Sequence, residues 1–384
     1  MALTRIANIA STIPDDSIAN VKMANIVQSK NIIINGDMQI AQRATSSTGV
    51  TSGNYYTCDR WFIENTTMGT FTISQSTDVP SGQGFASSLK YDCTTADASP
   101  ASGDTIGLRQ KFEGQNLQYL KFATSSAESL TLSFWIKSNK TGTYNVALFG
   151  QDSASTEQYL TKAYTISSAD TWEKKTITYI GNTANGFDND NARSLDLTFN
   201  FGTGSSNTGG TLQTVWSNYG TSADYYATQG VNIADSTSNE LYITGVQLEA
   251  GDTASEFEFL PYGLNLERCL RYFYPIISIS DTNNLNAFGY YYASGNIKIP
   301  IRLPTQMRTT PTLSQDVDTD ALRFYRDATY DGLSGNFALD GNGTGRYVSM
   351  ANSTDASGTA GQAGQLYKYT PTQADSYIWL SAEL

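Results

Sequence analysis

With no histidine among its 384 residues, this chain must do any chemistry without an imidazole. The missing imidazole removes the Ser-His-Asp and Cys-His nucleophile arrangements and every zinc site that uses a histidine. Paired carboxylates remain: Asp188 with Asp190, and Glu256 with Glu258. A glycosidase needs two carboxyl groups about 5–10 Å apart across a sugar-sized cleft. Residues two apart on a strand share a face but stand side by side, so solvated surface charge is the default for both pairs. Asp316, Asp318 and Asp320 with Asp327 have part of an EF-hand's spacing. Ala321 stands where that loop needs Gly, and its closing Glu is missing. DGNGTG at Asp340–Gly345 lacks the Gly-Lys-Ser/Thr of a phosphate loop and reads as a tight surface loop. Cys58, Cys93 and Cys269 are odd in number and show no Cys-x-x-Cys spacing, so they read as small buried hydrophobes.

Aromatic rings offer the other chemistry. The stretch 202–239 is rich in Gly, Ser and Asn yet carries Trp216, Tyr219, Tyr225 and Tyr226. Sugar C–H faces stack on such rings while a polar rim supplies hydrogen bonds, and a loop of that length is more often functional or interfacial than inert. The competing reading is that the rings cover a sheet or a subunit interface. Trp216 is expected at the loop tip, contributing little to the core. Trp135 joins the candidate glycan contacts because it points away from the face formed by Leu130, Leu132, Phe134 and Ile136. Tyr290, Tyr291 and Tyr292 cannot all face one way on a strand, so at least one belongs to a core.

The elements that must hold these residues are strands. SLTLSFWI at Ser129–Ile136 and SLDLTFNF at Ser194–Phe201 alternate strictly. In the second, Leu195, Leu197, Phe199 and Phe201 take one face, and Asp196, Thr198 and Asn200 the solvent side. Phe71 and Ile73, then Ile177 and Tyr179, repeat the pattern. Gly, Asn, Ser and Asp clusters separate these runs, which predicts a sandwich of antiparallel sheets. A break near Pro261–Gly263 precedes LNLERCLRYFY, the best short-helix candidate. After it, Ile297, Ile299, Ile301 and Leu303 alternate around Pro300, which predicts an edge or bulged strand. The last run, SYIWLSAEL, places Ile378, Leu380, Ala382 and Leu384 on one face. The expected organisation is an extended arm over 1–29, a β-sandwich over 30–262 and a smaller β-domain over 263–384.

Composition agrees with an all-β protein. Only 16% of residues are charged, and abundant Thr and Tyr favour pleated surfaces while Ser and Asn disfavour helix interiors. A net charge of −12 argues against nucleic acid as a partner. No apolar run approaches the roughly 20 residues of a membrane-spanning helix. The segment MALTRIANIASTIPDDS lacks the apolar stretch of a secretory signal. Within 1–29, Ile6, Ile9, Ile13, Ile18, Val21, Met23 and Ile26 follow neither a 3.6 nor a 2.0 period, which suits an arm docked on neighbouring subunits, with a disordered tail as the alternative.

Five segments together resemble a family of phage tail-fibre and carbohydrate-binding-like structural proteins, common in marine and cyanobacterial phages. They are NIIINGDMQIAQR at Asn31–Arg43 with YYTCDRWFI at Tyr55–Ile63; SLTLSFWIKSNKTGTYNVAL at Ser129–Leu148 followed by TWEKKTITY; LYITGVQLEAGDTASEFEFLPYG at Leu241–Gly263 running into ERCLRYFY; LPTQMRTTPTLS at Leu303–Ser314; and the terminal LSAEL. They span most of residues 31–384. The resemblance implies a jelly-roll sandwich similar to glycan-binding modules, followed by a small C-terminal β-sandwich. It also implies a non-enzymatic homotrimer in the virion, assembled in the host cytoplasm and held to other virion proteins, of tail or capsid, through 1–29. Its expected distal partner is a host cell-surface polysaccharide. A head fibre or capsid decoration, or a polysaccharide depolymerase, are the alternatives. No cofactor is expected except a structural calcium, which the resemblance places between the opening and closing strands at Asn35, Gly36 and Asp37 near Glu249.

Overall fold

A computed structural model describes residues 30–152, 157–279, 285–318, 320–341, 346–369 and 376–384. The arm expected over 1–29, with the Ile, Val and Met side chains singled out in it, lies outside the described residues, as does most of DGNGTG.

The alternating runs form strands. In the first unit these are β1 (Ser46–Asn54), β2 (Phe62–Ser76), β3 (Ser88–Thr95), β4 (Thr105–Glu113), β5 (Leu130–Ser138), β6 (Gly142–Gly150), β7 (Gln158–Ile166), β8 (Glu173–Tyr179), β9 (Arg193–Thr203), β10 (Ser217–Asn218) and β11 (Glu240–Ala250). Their spatial order is β10-β7-β6-β9-β4-β2-β3-β11-β5-β8, with β1 also on β2. All pairings are antiparallel. The long β2 explains how one path makes two layers. Phe62–Asn65 pairs with β4, and Thr70–Ser76 pairs with β3. Between them Thr67 and Gly69 take positive φ values of 62° and 70° and turn the strand from one sheet into the other. The result is a jelly-roll-like sandwich. Leu195, Leu197, Phe199 and Phe201 face Leu130, Leu132, Phe134 and Ile136 across the core, as the alternation requires. Phe134 meets Phe199 edge-on at 4.9 Å, and Tyr91 meets Phe201 at 5.2 Å.

The outer side of β9 departs from expectation. Asp196, Thr198 and Asn200 are buried, with exposures of 1, 0 and 1%. The cause is the 202–239 segment, which folds back over this face. Thr161 Oγ1 donates to Tyr225 O, Asn145 Nδ2 donates to Ala227 O, and Ile233 N donates to Phe201 O. The three side chains find their own partners among the strands, with Arg193 and Arg109 on Asp196, Arg109 Nε on Thr198 Oγ1 and Asn145 on Asn200, and buried polar groups satisfied in this way cost little free energy.

The opening segment lies along the closing strand. Ile32 N donates to Leu248 O, and Val246 N donates to Gly36 O. A Cβ on residue 36 would stand 2.1 Å from Val246 O, so only glycine allows the approach.

The expected helix is α2 (Tyr262–Leu270); a shorter one, α1 (Ser222–Tyr225), lies in the covering segment. After α2 come β12 (Phe273–Ile277), β13 (Leu285–Ala293), β14 (Asn296–Arg302), β15 (Thr312–Asp316), β16 (Leu322–Arg326), β17 (Thr329–Leu333), β18 (Ala338–Leu339), β19 (Tyr347–Asn352), β20 (Ala363–Lys368) and β21 (Tyr377–Ser381). They form a sheet β12-β21-β15 and a sheet β17-β16-β20-β13-β14-β19-β18. A second core lies between these sheets, with Ile297, Ile299, Phe324, Leu366, Ile378 and Leu380 fully buried. β14 is not the edge strand that Pro300 suggested, since it lies between β13 and β19. Its pairing with β13 covers only Asn296–Lys298, so Pro300 is in register with β19 alone, opposite Ser349. The missing donor therefore disrupts no second ladder.

Charged side chains fasten the two sandwiches. Arg60, 1% exposed, pairs with Glu383, donates to Lys111 O at 2.7 Å and stacks on Tyr272 with its guanidinium carbon 3.5 Å from the ring centroid. Glu113 is fully buried and receives Arg271 at 2.6 and 2.8 Å together with the Tyr272 hydroxyl.

Candidate functional site

The covering segment builds a pocket on the outer face of the β7-β6-β9-β4 layer. β10 pairs with β7, placing Ser217 opposite Tyr159. Tyr219 follows, held by its N–H to Glu157 O at 2.9 Å. α1 then presses Tyr225 and Tyr226 onto the sheet, where they are 6 and 7% exposed, while Tyr219 stays 41% exposed. Tyr219 stands edge-on to Phe149 at 5.4 Å, Tyr159 at 6.1 Å and Tyr225 at 6.3 Å. Beside these rings opens a pocket of about 270 Å³, lined also by Arg109, Gln151, Glu157, Arg193 and Asp196.

A chain of charges underlies it. Arg109 Nη2 meets Glu64 Oε1 at 2.6 Å, and its Nε lies 3.7 Å from Asp196 Oδ2 and donates to Thr198 Oγ1 at 3.1 Å. Arg193 grips both oxygens of Asp196, with Nε at 2.8 Å from Oδ1. Burial pushes the Glu64 carboxyl up, against the pull of Arg109. Burial also works against the Arg109 charge, but the Glu64 and Asp196 carboxylates restore it, so the guanidinium stays protonated. The pocket offers fixed donors, carboxylate acceptors and ring edges side by side.

The four aromatic residues of the loop do not form one platform. Trp216 is no loop-tip ring. It is half-buried, meets Phe122 edge-on at 5.8 Å, and its Nε1 donates to Ile180 O at 2.7 Å. Its neighbour Phe122 lines a different cavity of about 340 Å³ together with Phe187. Trp135 is half-buried on β5, in the opposite sheet, in register with Thr244 and Lys174. Of the five rings singled out in the sequence, the pocket gathers Tyr219, Tyr225 and Tyr226. The sequence reading missed Arg109, Phe149, Asp196 and Arg193. These come from three strands far apart in sequence, and the one local clue was a run of polar residues on β9 that only a covering loop would bury.

Among the described residues neither carboxylate pair shares a pocket as a pair: Asp188 lines the cavity beside Phe122 without Asp190, and Glu258 lies beside Asp37 and Asn265 without Glu256. Asp188 N donates to Asp152 Oδ2, and Asp190 Oδ1 accepts from Ala192 N within a turn. Glu258 accepts from Asn31 N, while Glu256 offers its backbone carbonyl to Gln247. The residues expected around calcium have protein partners of their own. Asn35 donates to Ile40 O and Asp59 O, and Asp37 accepts from Asn265 Nδ2 at 3.1 Å. Glu249 accepts from Ser255 N, Ser255 Oγ and Gln247 Nε2. Burial pushes the Asp37 carboxyl up. Among the described residues no group of three Asp, Glu, Cys or His side chains is placed to hold a metal, the Asp316–Asp327 set included. No helix there is long and apolar enough to cross a membrane.

No family model matches this chain, and no curated protein does. Solved structures similar to it include the enzymatically active domain of tailspike protein 4 from bacteriophage CBA120, at 13% identity and a TM-score of 0.30. That match covers 58% of this chain and only 21% of the tailspike chain. A family 16 carbohydrate-binding module matches at 15% identity over 46% of this chain and 84% of its own, with a TM-score of 0.24. A CBM4 module matches at 14% identity over 58% and 99%, with a TM-score of 0.28.

Proposed function

We propose that the pocket beside Tyr219 binds a carbohydrate. On this reading the chain is a non-catalytic, fibre-type virion appendage, trimeric, held to the particle through residues 1–29 and directed at host-surface polysaccharide. The observation that carries the glycan reading is the pairing of an exposed tyrosine ring with ordered charged groups in one small pocket. A sugar presents C–H faces and hydroxyls together, and Tyr219 with Phe149 answers the first while Arg193, Glu157 and Gln151 answer the second. The charges favour binding over hydrolysis. A glycosidase acid must hold a proton beside the scissile bond, and Asp196 is instead clamped between two arginines. One shallow site gives weak affinity, and a trimer compensates because avidity exceeds single-site affinity by about 10²–10⁴.

The test is retardation of the full chain in gels containing extracted host-surface polysaccharide. Tyr219→Ala should weaken retardation by about tenfold or more, as loss of a central anchor ring does, with the melting temperature unchanged. Equal retardation of the variant and the parent removes the pocket from recognition. Release of reducing ends from the same polysaccharide would replace the binding reading with a depolymerase. Immunogold labelling of particles distinguishes a tail fibre from a head decoration.

A further inference from the structure

Among the described residues nothing covers the outer face of the seven-stranded sheet of the second unit, and that face is aromatic. Phe288 and Tyr292 are 60 and 62% exposed, and Tyr325 and Tyr330 are 37 and 46% exposed. Register puts several of these side chains in line. Tyr330 stands opposite Tyr325, Tyr325 opposite Gln365, and Gln365 opposite Phe288. At about 4.8 Å between strands, this row runs roughly 14 Å across four strands. Tyr325 also touches Tyr330 at 5.4 Å and Tyr367 at 5.2 Å.

Charge sets the face apart from the rest of the molecule. The chain carries −12 overall, yet the outward positions of these strands hold Lys298, Arg302 and Arg323 and no Asp or Glu. Lys298 lies over Tyr292 at 4.1 Å and is paired with Asp340 from the loop beyond β18. Arg323 stacks on Tyr330 and Tyr369 at 4.2 and 3.2 Å. Among the described residues neither Arg302 nor Arg323 has a carboxylate partner. Large exposed apolar surface marks an interaction site, and a basic, tyrosine-rich strip on an acidic protein selects a negatively charged occupant.

We infer that this face is a second, independent binding surface for an acidic polysaccharide, a chain of uronate-bearing sugars lying across β14, β13, β20, β16 and β17. The rings would take the C–H faces, and Arg302 and Arg323 the carboxylates, with guanidinium–carboxylate hydrogen bonds. The inference does not rest on the Tyr219 pocket.

The experiment uses the full chain in affinity gels with alginate, a polyuronate, and with dextran, which is neutral. Alginate should retard the protein, and dextran should not. Phe288→Ala with Tyr325→Ala should weaken alginate retardation at least about fivefold, and Arg302→Glu should weaken it and reduce its salt dependence. Tyr219→Ala should leave it unchanged, which separates this surface from the pocket. Circular dichroism melts of each variant confirm folding. No retardation by alginate, equal retardation by dextran, or full retention in folded variants overturns the inference. So does sedimentation showing that the Phe288→Ala, Tyr325→Ala protein loses its oligomeric state, which would give the face to a second copy of the chain.

Discussion

Each sandwich has one sheet face that alternation turns away from its core, and the two faces are finished in opposite ways. On β9 the outward residues are Asp196, Thr198 and Asn200, and all are buried. On β13 they are Phe288, Tyr290 and Tyr292, and all are exposed. Polar side chains are covered and aromatic ones bare, the reverse of what hydrophobic burial alone would arrange. The first face is closed by the chain's own 202–239 segment, its polar groups are satisfied by Arg109, Arg193 and Asn145 from the strands, and one small pocket is left beside Tyr219. The second is closed by nothing among the described residues. A covered polar face holds a pocket with fixed donors, whereas a bare aromatic face offers a flat surface to something long.

The largest effect should come from stripping the cover. Tyr225 packs against Phe149, Tyr159 and Tyr226 over the sheet and is 6% exposed. Tyr225→Ala should cost about 3–5 kcal/mol, the range for truncating a buried aromatic, read from urea unfolding. A loss below 1 kcal/mol would mean that the segment merely lies on the face and that the contrast is one of accident.

Next is Asp196→Ala. It leaves Arg193 and Arg109 without their shared carboxylate beneath the pocket. Breaking a buried pair from one side costs about 3 kcal/mol or somewhat more. Both arginines keep some solvent contact, at 28 and 19% exposure, so about 2 kcal/mol is expected, with weaker glycan retardation alongside. Unchanged stability would show that water already does the work of the carboxylate.

These two predictions mark what the sequence made legible. The inner faces were readable because alternation of Leu and Phe with polar residues has one explanation at period two. The outer faces were not, because alternation reports which side a residue takes and never what covers that side. Trp216 shows the same limit. Its place in a Gly/Ser-rich stretch suggested exposure, but one carbonyl, that of Ile180, and the edge of Phe122 hold it down. The pocket needed β4, β6, β7 and β9 to meet, and no spacing along the chain encodes that meeting. The family resemblance, not the spacing, set the Asn-Gly-Asp opening beside the closing strand, where Gly36 O accepts from Val246 N. Which donors its carboxylate would find was not readable, since Asn265 lies 228 residues away.

A smaller effect concerns how the two differently finished sandwiches are fastened. Burial pushes Glu113 up, but Arg271, Tyr272 and Gln115 together outweigh it and hold the carboxyl below its ordinary 4.5. A depressed carboxylate contributes stability that is present above the unfolded value and lost as pH falls through the folded one. The wild type should therefore lose junction stability on acidification below about pH 4.5. Glu113→Gln should cost about 2 kcal/mol at pH 7 and flatten that acid slope. An unchanged slope would assign the acid sensitivity to other carboxylates and leave the junction indifferent to this pair.

The smallest effect belongs to the bare face. Tyr292 is 62% exposed, and its described partner is the Lys298 ammonium at 4.1 Å. A cation–π contact at an exposed site is worth about 0.5–1 kcal/mol. Lys298 keeps Asp340 when the ring is removed, so part of that is recovered. Tyr292→Ala should therefore change unfolding stability by no more than about 0.5 kcal/mol, several-fold less than Tyr225→Ala on the covered face. A ring that contributes so little to the fold, on a strand whose inward neighbour Tyr291 is fully buried, is held at the surface by something other than packing. If Tyr292→Ala instead lowers stability by 2 kcal/mol or more, the face is closed by contacts in the assembled protein, and the opposition between covered and bare disappears.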